Sequence, residues 1–177
     1  MANYTADAII ETAGGPGPFI FDLPVDAGSK VFAGSLCTQL TATGMVVPYS
    51  TAAAGVAVGV AQHASDNSAA GTADGDKRVR IETKRMFVFT NGTAGDAFSE
   101  ATLIGSLAYG TDDHTVAKTS NTQARKAVGF FMGMESDGKV RVFVDPCLAS
   151  IVDALQTLTD TPASADALRD NIVAKFG

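Results

Sequence analysis

Residues 55–83 read GVAVGVAQHASDNSAAGTADGDKRVRIET: a small apolar run, a long polar stretch and an alternating basic-apolar segment. In the apolar run, Val56, Val58 and Val60 alternate with Gly or Ala, and this period of two predicts a β-strand. The run is too short to cross a bilayer, and the Lys-Ser/Thr pair of a phosphate-binding loop does not follow its glycines. The stretch therefore predicts two strands joined by a polar loop.

The same pattern returns later in the chain, with four short matches in the same order. The matched segments are Gly34-Ser35-Leu36 with Gly105-Ser106-Leu107, Val58-Gly59-Val60 with Val128-Gly129-Phe130, Asp74-Gly75 with Asp137-Gly138, and Val79-Arg80-Ile81 with Val140-Arg141-Val142. The first two matches keep nearly the same separation in both copies, whereas the loop of the first copy is longer by nine residues. We therefore expect an internal duplication, with residues 62–75 as an exposed insertion in a hairpin that the fold does not need.

Short strands and turn signals fill the region between Val25 and Pro146, without a convincing helix. The sequence thus predicts an all-β fold, a small β-barrel or sandwich of two similar halves over residues 25–146. The run Gly14-Gly15-Pro16-Gly17-Pro18 excludes a helix or a central strand, and it predicts an extended N-terminal arm over residues 1–24.

The chain changes period after Pro146, and its apolar residues then recur at spacings of three and four. We expect a short helical tail over residues 147–177, made of two amphipathic helices with a break at Thr161-Pro162. The apolar positions of the first helix are Leu148, Ile151, Val152, Leu155 and Leu158, and those of the second are Leu168, Ile172 and Phe176. Such narrow stripes are not stable alone, so both helices must pack on the barrel or on copies of themselves.

The composition limits the classes of function. Charged residues make up only 18% of the chain, against roughly 25% in an average domain, which suits a protein packed against others. The net charge of −6 disfavours nucleic-acid binding. Cys37 and Cys147 lack metal-ligand spacing and are expected to be reduced, buried thiols. Because no signal peptide or membrane-spanning run is present in the sequence, we expect synthesis and use without export.

No set of residues predicts catalysis, a metal ion or a cofactor. His63 and His114 each lie in a polar loop, and the usual sequence signature of a serine hydrolase is missing. Asp74-Gly75-Asp76 and Asp112-Asp113 lack the ligand spacing of a calcium loop, so turn formation accounts for them better. We expect a protein that is not an enzyme.

Two apolar segments are candidates for contact with partners. Met86, Phe87 and Phe89 lie in a strand that is apolar on both faces, which the C-terminal helices or a second subunit must cover. Phe19-Ile20-Phe21 follows the Gly-Pro hinge of the arm, as expected of a segment that orders on contact with another chain. A basic cluster is also suited to an acidic partner surface. Its members are Lys77, Arg78, Arg80, Lys84 and Arg85.

Several segments rich in Gly, Ala and Val resemble one another and a known family. They are residues 31–36 (VFAGSL), 57–61 (AVGVA), 113–116 (DHTV) and 127–130 (AVGF). Together these segments look like the small β-rich capsid decoration (cement) proteins of tailed bacteriophages, over residues 25–145. The run LQTLTDTP at residues 155–162 is similar to phage virion proteins.

The resemblance implies a β-barrel-like subunit without catalytic activity. It implies a homotrimer that binds the major capsid protein lattice on the outside of the head and stabilises it, after synthesis in the host cytoplasm. Phe19, Ile20 and Phe21 then become candidates for capsid contact, and Met86, Phe87 and Phe89 candidates for the subunit interface. The helical tail departs from the smallest members of the family. The alternatives are a phage tail or fibre component, a small-ligand-binding β-barrel, and an unrecognised hydrolase.

Overall fold

The structure, a computed structural model, describes residues 12–13 and 18–160. Within them the chain is mostly β-strand, with one short 3-10 helix at Ala94–Asp96 and one α-helix, α1, at Pro146–Asp160. The strands are β1 (Thr12–Ala13), β2 (Phe19–Pro24), β3 (Lys30–Val31), β4 (Leu36–Leu40), β5 (Val46–Pro48), β6 (Gly55–Ala61), β7 (Ser65–Asp66), β8 (Arg78–Thr83), β9 (Arg85–Asn91), β10 (Leu107–Gly110), β11 (Thr115–Ala117), β12 (Ala127–Met134) and β13 (Val140–Val144). The all-β prediction with a C-terminal helix is confirmed.

The strands form two halves with the same order. In the first half, residues 19–83, the order is β2-β8-β6-β4-β5, and in the second, residues 85–144, it is β9-β13-β12-β10-β11. In the second half β11 also pairs in parallel with β9, which closes a five-stranded barrel. In the first half only a parallel bridge between Val25 and Val46 links the two outer strands. The two halves therefore share one topology, but only the second is fully closed.

The residue pairing of the two halves also agrees. Leu36 opposes Val60 and Leu107 opposes Phe130, each of which is a match predicted from the sequence. Both ladders then shift by one residue at the same place, after Cys37 in the first half and after its counterpart Ala108 in the second. A shared bulge of this kind is a specific feature of a strand pair. The predicted construction from two similar halves is confirmed.

Glycine is required at the same point in both halves. A Cβ atom added to Gly59 would lie 2.5 Å from the carbonyl oxygen of Glu82, and one added to Gly129 would lie 2.2 Å from that of Phe143. Both distances are far below van der Waals contact, so the backbones could approach this closely only at glycine. These two glycines are therefore the sequence marker of the duplicated bulge.

The outer face of each half packs against the element that follows it in the chain. The second half covers the first, and α1 covers the second. Leu36, Tyr49 and Val60 of the first half belong to the same buried cluster as the interior of the second half. Across this junction Lys126 N–H donates to Tyr49 Oη at 3.0 Å, and Leu36 N–H donates to the carbonyl oxygen of Asp113 at 2.7 Å. The two halves thus pack as one unit.

Helix α1 covers the corresponding face of the second half, as the periodicity predicted for a first helix in the tail. Ala149 is buried and Val152 packs beside it on the strands, while the Tyr109 hydroxyl donates to Asp153 Oδ1 at 2.6 Å. The small side chain of Ala149 lets the helix approach the sheet closely. Leu148, Ile151 and Leu155, which were expected to pack on the barrel or on other copies of the helix, are exposed in the single chain. The second predicted helix lies outside the described residues.

The polar stretch at residues 62–75 is an insertion between β6 and β8, as predicted. It is anchored to the first half, however, since β7 pairs with β3 and Asn67 is completely buried. The Asn67 amide nitrogen donates to the carbonyl oxygens of Val25 and Ala73 at 3.1 and 3.0 Å. The expectation that the whole insertion is exposed is therefore wrong at Ser65 and Asn67, because Ser65 lies in the β3–β7 pair and the Asn67 amide bonds to the backbone on both sides of it.

The predicted arm of residues 1–24 ends in ordered structure. Phe19–Pro24 form β2 and pair with β8 over six residues, so this part of the predicted arm belongs to the first sheet. Thr12–Ala13 form β1, which pairs with Met86 and Phe87 of β9. Residues 1–11 and 14–17 lie outside the described part of the chain.

Candidate partner-binding surface

Strand β2 forms an open edge of the first sheet. One side of β2 pairs with β8, and no other strand within residues 12–13 and 18–160 pairs with its second side. The corresponding strand of the second half, β9, carries β1 on that side at Met86 and Phe87. An edge that is covered in one half is thus open in the other.

The direction of the backbone N–H and C=O groups shows which of them this edge presents to a partner. Gln62 N–H donates to the carbonyl oxygen of Arg80 at 2.8 Å, so the backbone groups of Arg80 face β6. Asp22 lies directly opposite Arg80, and residues opposed in an antiparallel ladder either both bond to each other or both face away. The backbone groups of Asp22 and of Ile20, two positions earlier, therefore face the open edge. The side chain of Arg78 donates to the carbonyl oxygen of Asp22, which leaves the N–H of Asp22 and both groups of Ile20 directed outward.

An apolar groove of about 510 Å³ lies beside this edge. Phe19, Phe21 and Leu23 of β2 form one wall, and Ala57 and Val58 of β6 form part of the other. The groove extends to the junction between the halves and to the start of α1, where its lining includes Gln39, Thr83, Lys84, Asp145, Pro146 and Cys147. The groove is the mouth of the first half-barrel.

The groove exists because the first half is filled by smaller side chains than the second. Phe21 is 45% exposed, whereas Phe87, its counterpart on β9, is only 3% exposed inside the closed barrel. Ala61 occupies the position that Phe131 has in the second half. Phe98 stacks on Phe131 with ring centroids 4.8 Å apart. The first half therefore has less side-chain volume with which to fill its interior.

The three capsid-contact candidates all lie on this surface. Phe19, Ile20 and Phe21 are 53%, 50% and 45% exposed. Lys84 Nζ lies 4.4 Å from the centre of the Phe19 ring, a cation–π contact at the rim of the groove. The sequence identified these residues by their apolar character, but the open edge that they form could be recognised only from the strand order.

Two of the three subunit-interface candidates are not accessible to a partner. Phe87 and Phe89 point into the closed barrel and are almost fully buried, so their assignment to a subunit interface was wrong. Their strand is apolar on both faces because one face fills the barrel. Met86 faces outward and is half-buried.

A second uncovered apolar surface lies on α1. Leu148, Ile151 and Leu155 are spaced by three and four residues and are exposed on one side of the helix. This spacing is typical of a seam against another helix or a sheet. The sequence left packing on the barrel and packing on other copies open for these residues, and Ala149 and Val152 make the contact with the barrel.

The aspartates of the two polar clusters, Asp74-Gly75-Asp76 and Asp112-Asp113, form hydrogen bonds with other parts of the chain. Asp113 is completely buried, and its carboxylate accepts a hydrogen bond from Ser35 Oγ at 3.1 Å and lies 2.9 Å from His114 Nδ1. Asp112 Oδ1 accepts from His114 N–H at 3.0 Å, which forms a local turn. Asp74 Oδ1 accepts a hydrogen bond from the N–H of Ala27, which is 47 residues away in the sequence. The expected role in turn formation is therefore seen at Asp112, whereas Asp74 and Asp113 join segments that are distant in the sequence.

Two of the five residues of the basic cluster form ion pairs with neighbouring acids. Arg78 Nε lies 3.1 Å from Asp22 Oδ2, and Arg85 Nη1 lies 2.7 Å from Glu82 Oε1. The Arg78–Asp22 pair joins β8 to β2. The Arg85–Glu82 pair lies at the junction between β8 and β9.

Both cysteines are free thiols, but they differ in exposure. Cys37 is buried in the first half, and burial raises the pKa of its thiol far above its usual value. Cys147 is exposed at the groove, so the expectation of two buried thiols is wrong for this residue. Cys147 lies in the first turn of α1, on the side of the helix that faces away from buried Ala149.

Comparison with protein-family models and with curated proteins finds no match for this chain. Among the residues that the structure describes, no helix is long and apolar enough to cross a membrane.

Proposed function

We propose that this protein is a virion structural protein, a capsid decoration protein that binds the outer surface of the assembled phage head and stabilises it as a homotrimer. The observation that carries the proposal is the presence of two separate uncovered apolar surfaces. One is the edge of β2 with its groove, and the other is the stripe of Leu148, Ile151 and Leu155 on α1. A decoration subunit needs one surface for its own copies and one for the shell.

The composition and the resemblance support this proposal. A chain with 18% charged residues has a surface suited to extensive contact with other proteins. The segments that resemble decoration proteins lie in residues 25–145, which form the two β-halves. The expected partner is the lattice of the major capsid protein, and the expected location is the outside of the virion after synthesis in the host cytoplasm.

A trimer on a regular shell gains strength from repeated contact. Once one subunit has bound, the second and third contacts become intramolecular and act at a high effective concentration. Binding should therefore be tight to an assembled shell and weak to free capsid protein.

Co-sedimentation with shells that lack decoration tests the proposal. We expect the full chain to pellet with shells and to raise the temperature at which they disrupt. Ile151→Asp should weaken binding by at least tenfold if the α1 stripe contacts the shell, whereas Ala69→Asp, which adds the same charge on the exposed insertion, should have no effect. A chain that neither pellets with shells nor raises their disruption temperature would refute the proposal.

The alternatives predict different results. A tail or fibre component would ignore closed shells in the same experiment. The groove has a volume within the range of small-ligand sites, which is the observation in favour of a ligand-binding barrel. Its wall at Phe19 and Phe21 is about half exposed, however, and an open wall favours an extended chain over an enclosed small molecule.

A further inference from the structure

We propose that the open edge of β2 and its groove receive residues 1–11 of a second copy, which add to β2 as a β-strand. The contact is head to tail: each copy donates its N-terminal segment and accepts that of a neighbour. Repetition of such a contact closes a ring when the rotation between copies permits it, and three copies give the expected homotrimer. This inference concerns contact between copies, so it stands or falls separately from shell binding.

The second half of the molecule shows how such an edge is completed. There, β1 pairs with β9, with Thr12 opposite Phe87 and Ala13 opposite Met86. The position on β2 that corresponds to Met86 is Ile20, since Ile20 pairs with Glu82 as Met86 pairs with Phe143, and Glu82 and Phe143 face the two equivalent glycines. The N–H and C=O groups of Ile20 face outward without a strand beside them in the described residues. Strand addition supplies the missing partner.

The direction of β1 favours a second copy over the same copy as the donor. β1 runs antiparallel to β9, so the direction from Ala13 to Thr12 points toward Val88. β2 begins at Phe19, opposite Thr83, which is at the other end of β9 next to Lys84. The segment of the same copy would have to reverse its direction to reach β2. Eleven extended residues span at most about 36 Å, enough to reach a neighbouring subunit of this size.

The chemistry of residues 1–11 fits the edge. Ile9 and Ile10 are strong strand formers, and because they are adjacent, one of them faces the apolar groove in any strand register. The charged side chains of the segment are Asp7 and Glu11, both acidic. The basic side chains of Arg80 and Lys84 lie beside this edge, whereas that of Arg78 is already paired with Asp22. Opposite charges on the two sides favour association and fix the register.

Two full-length variants separate the donor from the acceptor. Ile20→Pro removes an outward N–H while the bonds from β2 to β8 are kept, because proline is tolerated at edge positions that face solvent. The Ile20→Pro variant can therefore donate its N-terminal segment but cannot accept that of another copy. Ile9→Asp with Ile10→Asp spoils the apolar segment and leaves the edge of β2 intact. This double variant can accept the N-terminal segment of another copy but cannot donate its own.

Native mass spectrometry of these proteins provides the test. We expect the unmodified chain to be a trimer at micromolar concentration and each variant alone to be a monomer. An equimolar mixture, with one variant labelled with ¹⁵N, should give a one-to-one heterodimer, because one donor and one acceptor remain. Thermal unfolding of each variant within a few degrees of the unmodified chain shows that the fold is intact.

Three results would overturn the inference. They are an unmodified chain that stays monomeric, a trimer that survives Ile9→Asp with Ile10→Asp, and a mixture that gives no heterodimer. The second result would mean that another segment occupies the edge. A chain that forms the heterodimer but ignores shells would refute only the shell proposal.

Discussion

The two halves of the molecule share strand order, register and a bulge, yet one is closed and filled and the other is open and underfilled. In the second half β9 pairs with β11, and Phe87, Phe98 and Phe131 fill the interior. In the first half the interior has Ala61 in place of Phe131, and Phe21 remains half exposed. The difference shows that one topology supports either a barrel or a groove, and that the volume of a few side chains selects between them.

The first half is open at only one end. At the end near Pro24, the bridge between Val25 and Val46 and the amide of Asn67 tie the outer strands and the insertion together. At the end near Phe19, β2 has no strand on its outer side within the described chain. The long insertion thus compensates for the incomplete closure at one end, while the other end is left for a partner.

Truncation of the two equivalent phenylalanines is the strongest test of this comparison. Phe87→Ala empties a site inside the closed barrel and should destabilise the protein by about 3–5 kcal/mol. Phe21→Ala removes a half-exposed side chain from the groove wall and should lower the free energy of unfolding by only about 1 kcal/mol in the monomer. Denaturant unfolding of both variants measures the difference.

The two variants also separate stability from assembly. Phe21→Ala should weaken trimer formation more than Phe87→Ala does at equal fraction folded, because Phe21 lines the proposed contact. Equal losses of stability for the two variants would show that the first half is as tightly packed as the second.

The duplication could be predicted from the sequence because the glycines and valines that mark it lie close together in each copy. Gly59 and Gly129 are fixed by close backbone contacts, and the valines around them alternate with a period of two. The insertion followed from the unequal spacing of the same markers. These markers recur in the same order in both halves, so they are visible in the sequence, although the contacts that require glycine are made with the neighbouring strand.

The features that the sequence did not predict depend on contacts between distant residues. The Gly-Pro run before Phe19 indicated an arm, but pairing with β8, about 60 residues later, makes that segment a strand. Phe87 and Phe89 were assigned to an interface because periodicity does not distinguish the inside of a barrel from a surface covered by another subunit. The open edge of β2 became apparent only when the two halves were compared.

The anchoring of the insertion to the first half gives a prediction with an effect of intermediate size. Asn67→Ala removes the hydrogen bonds from the buried amide to the carbonyl oxygens of buried Val25 and exposed Ala73, and it should destabilise the protein by about 1–3 kcal/mol. Ser68→Ala, one position away on the exposed side, should change stability by less than about 0.5 kcal/mol. Thermal unfolding monitored by circular dichroism measures both. A neutral Asn67→Ala variant would mean that the bridge between Val25 and Val46 and the pairing of β3 with β7 hold this end of the first half without the Asn67 amide.

The smallest expected effect concerns local opening of the two halves in the native state. Cys37 and Ala108 occupy equivalent positions, opposite Gly59 and Gly129, and both are completely buried. In a Cys147→Ser background, the native thiol at position 37 reports opening of the first half. The further exchange Cys37→Ala with Ala108→Cys moves the same probe to the second half and conserves the composition of the core.

Thiol labelling under native conditions then compares the two rates. The raised pKa of the buried Cys37 thiol keeps it protonated and unreactive in the closed state, so labelling requires opening. Because local opening is easier where fewer apolar contacts must be broken, we expect labelling at position 37 to be about tenfold faster than at position 108, equivalent to about 1.4 kcal/mol. Trimer formation should slow labelling at position 37 and leave that at position 108 unchanged, since only the first half gains a strand. Equal rates at the two positions, with the same response to protein concentration, would show that the halves open together and that closure of the barrel gives the second half no separate stability.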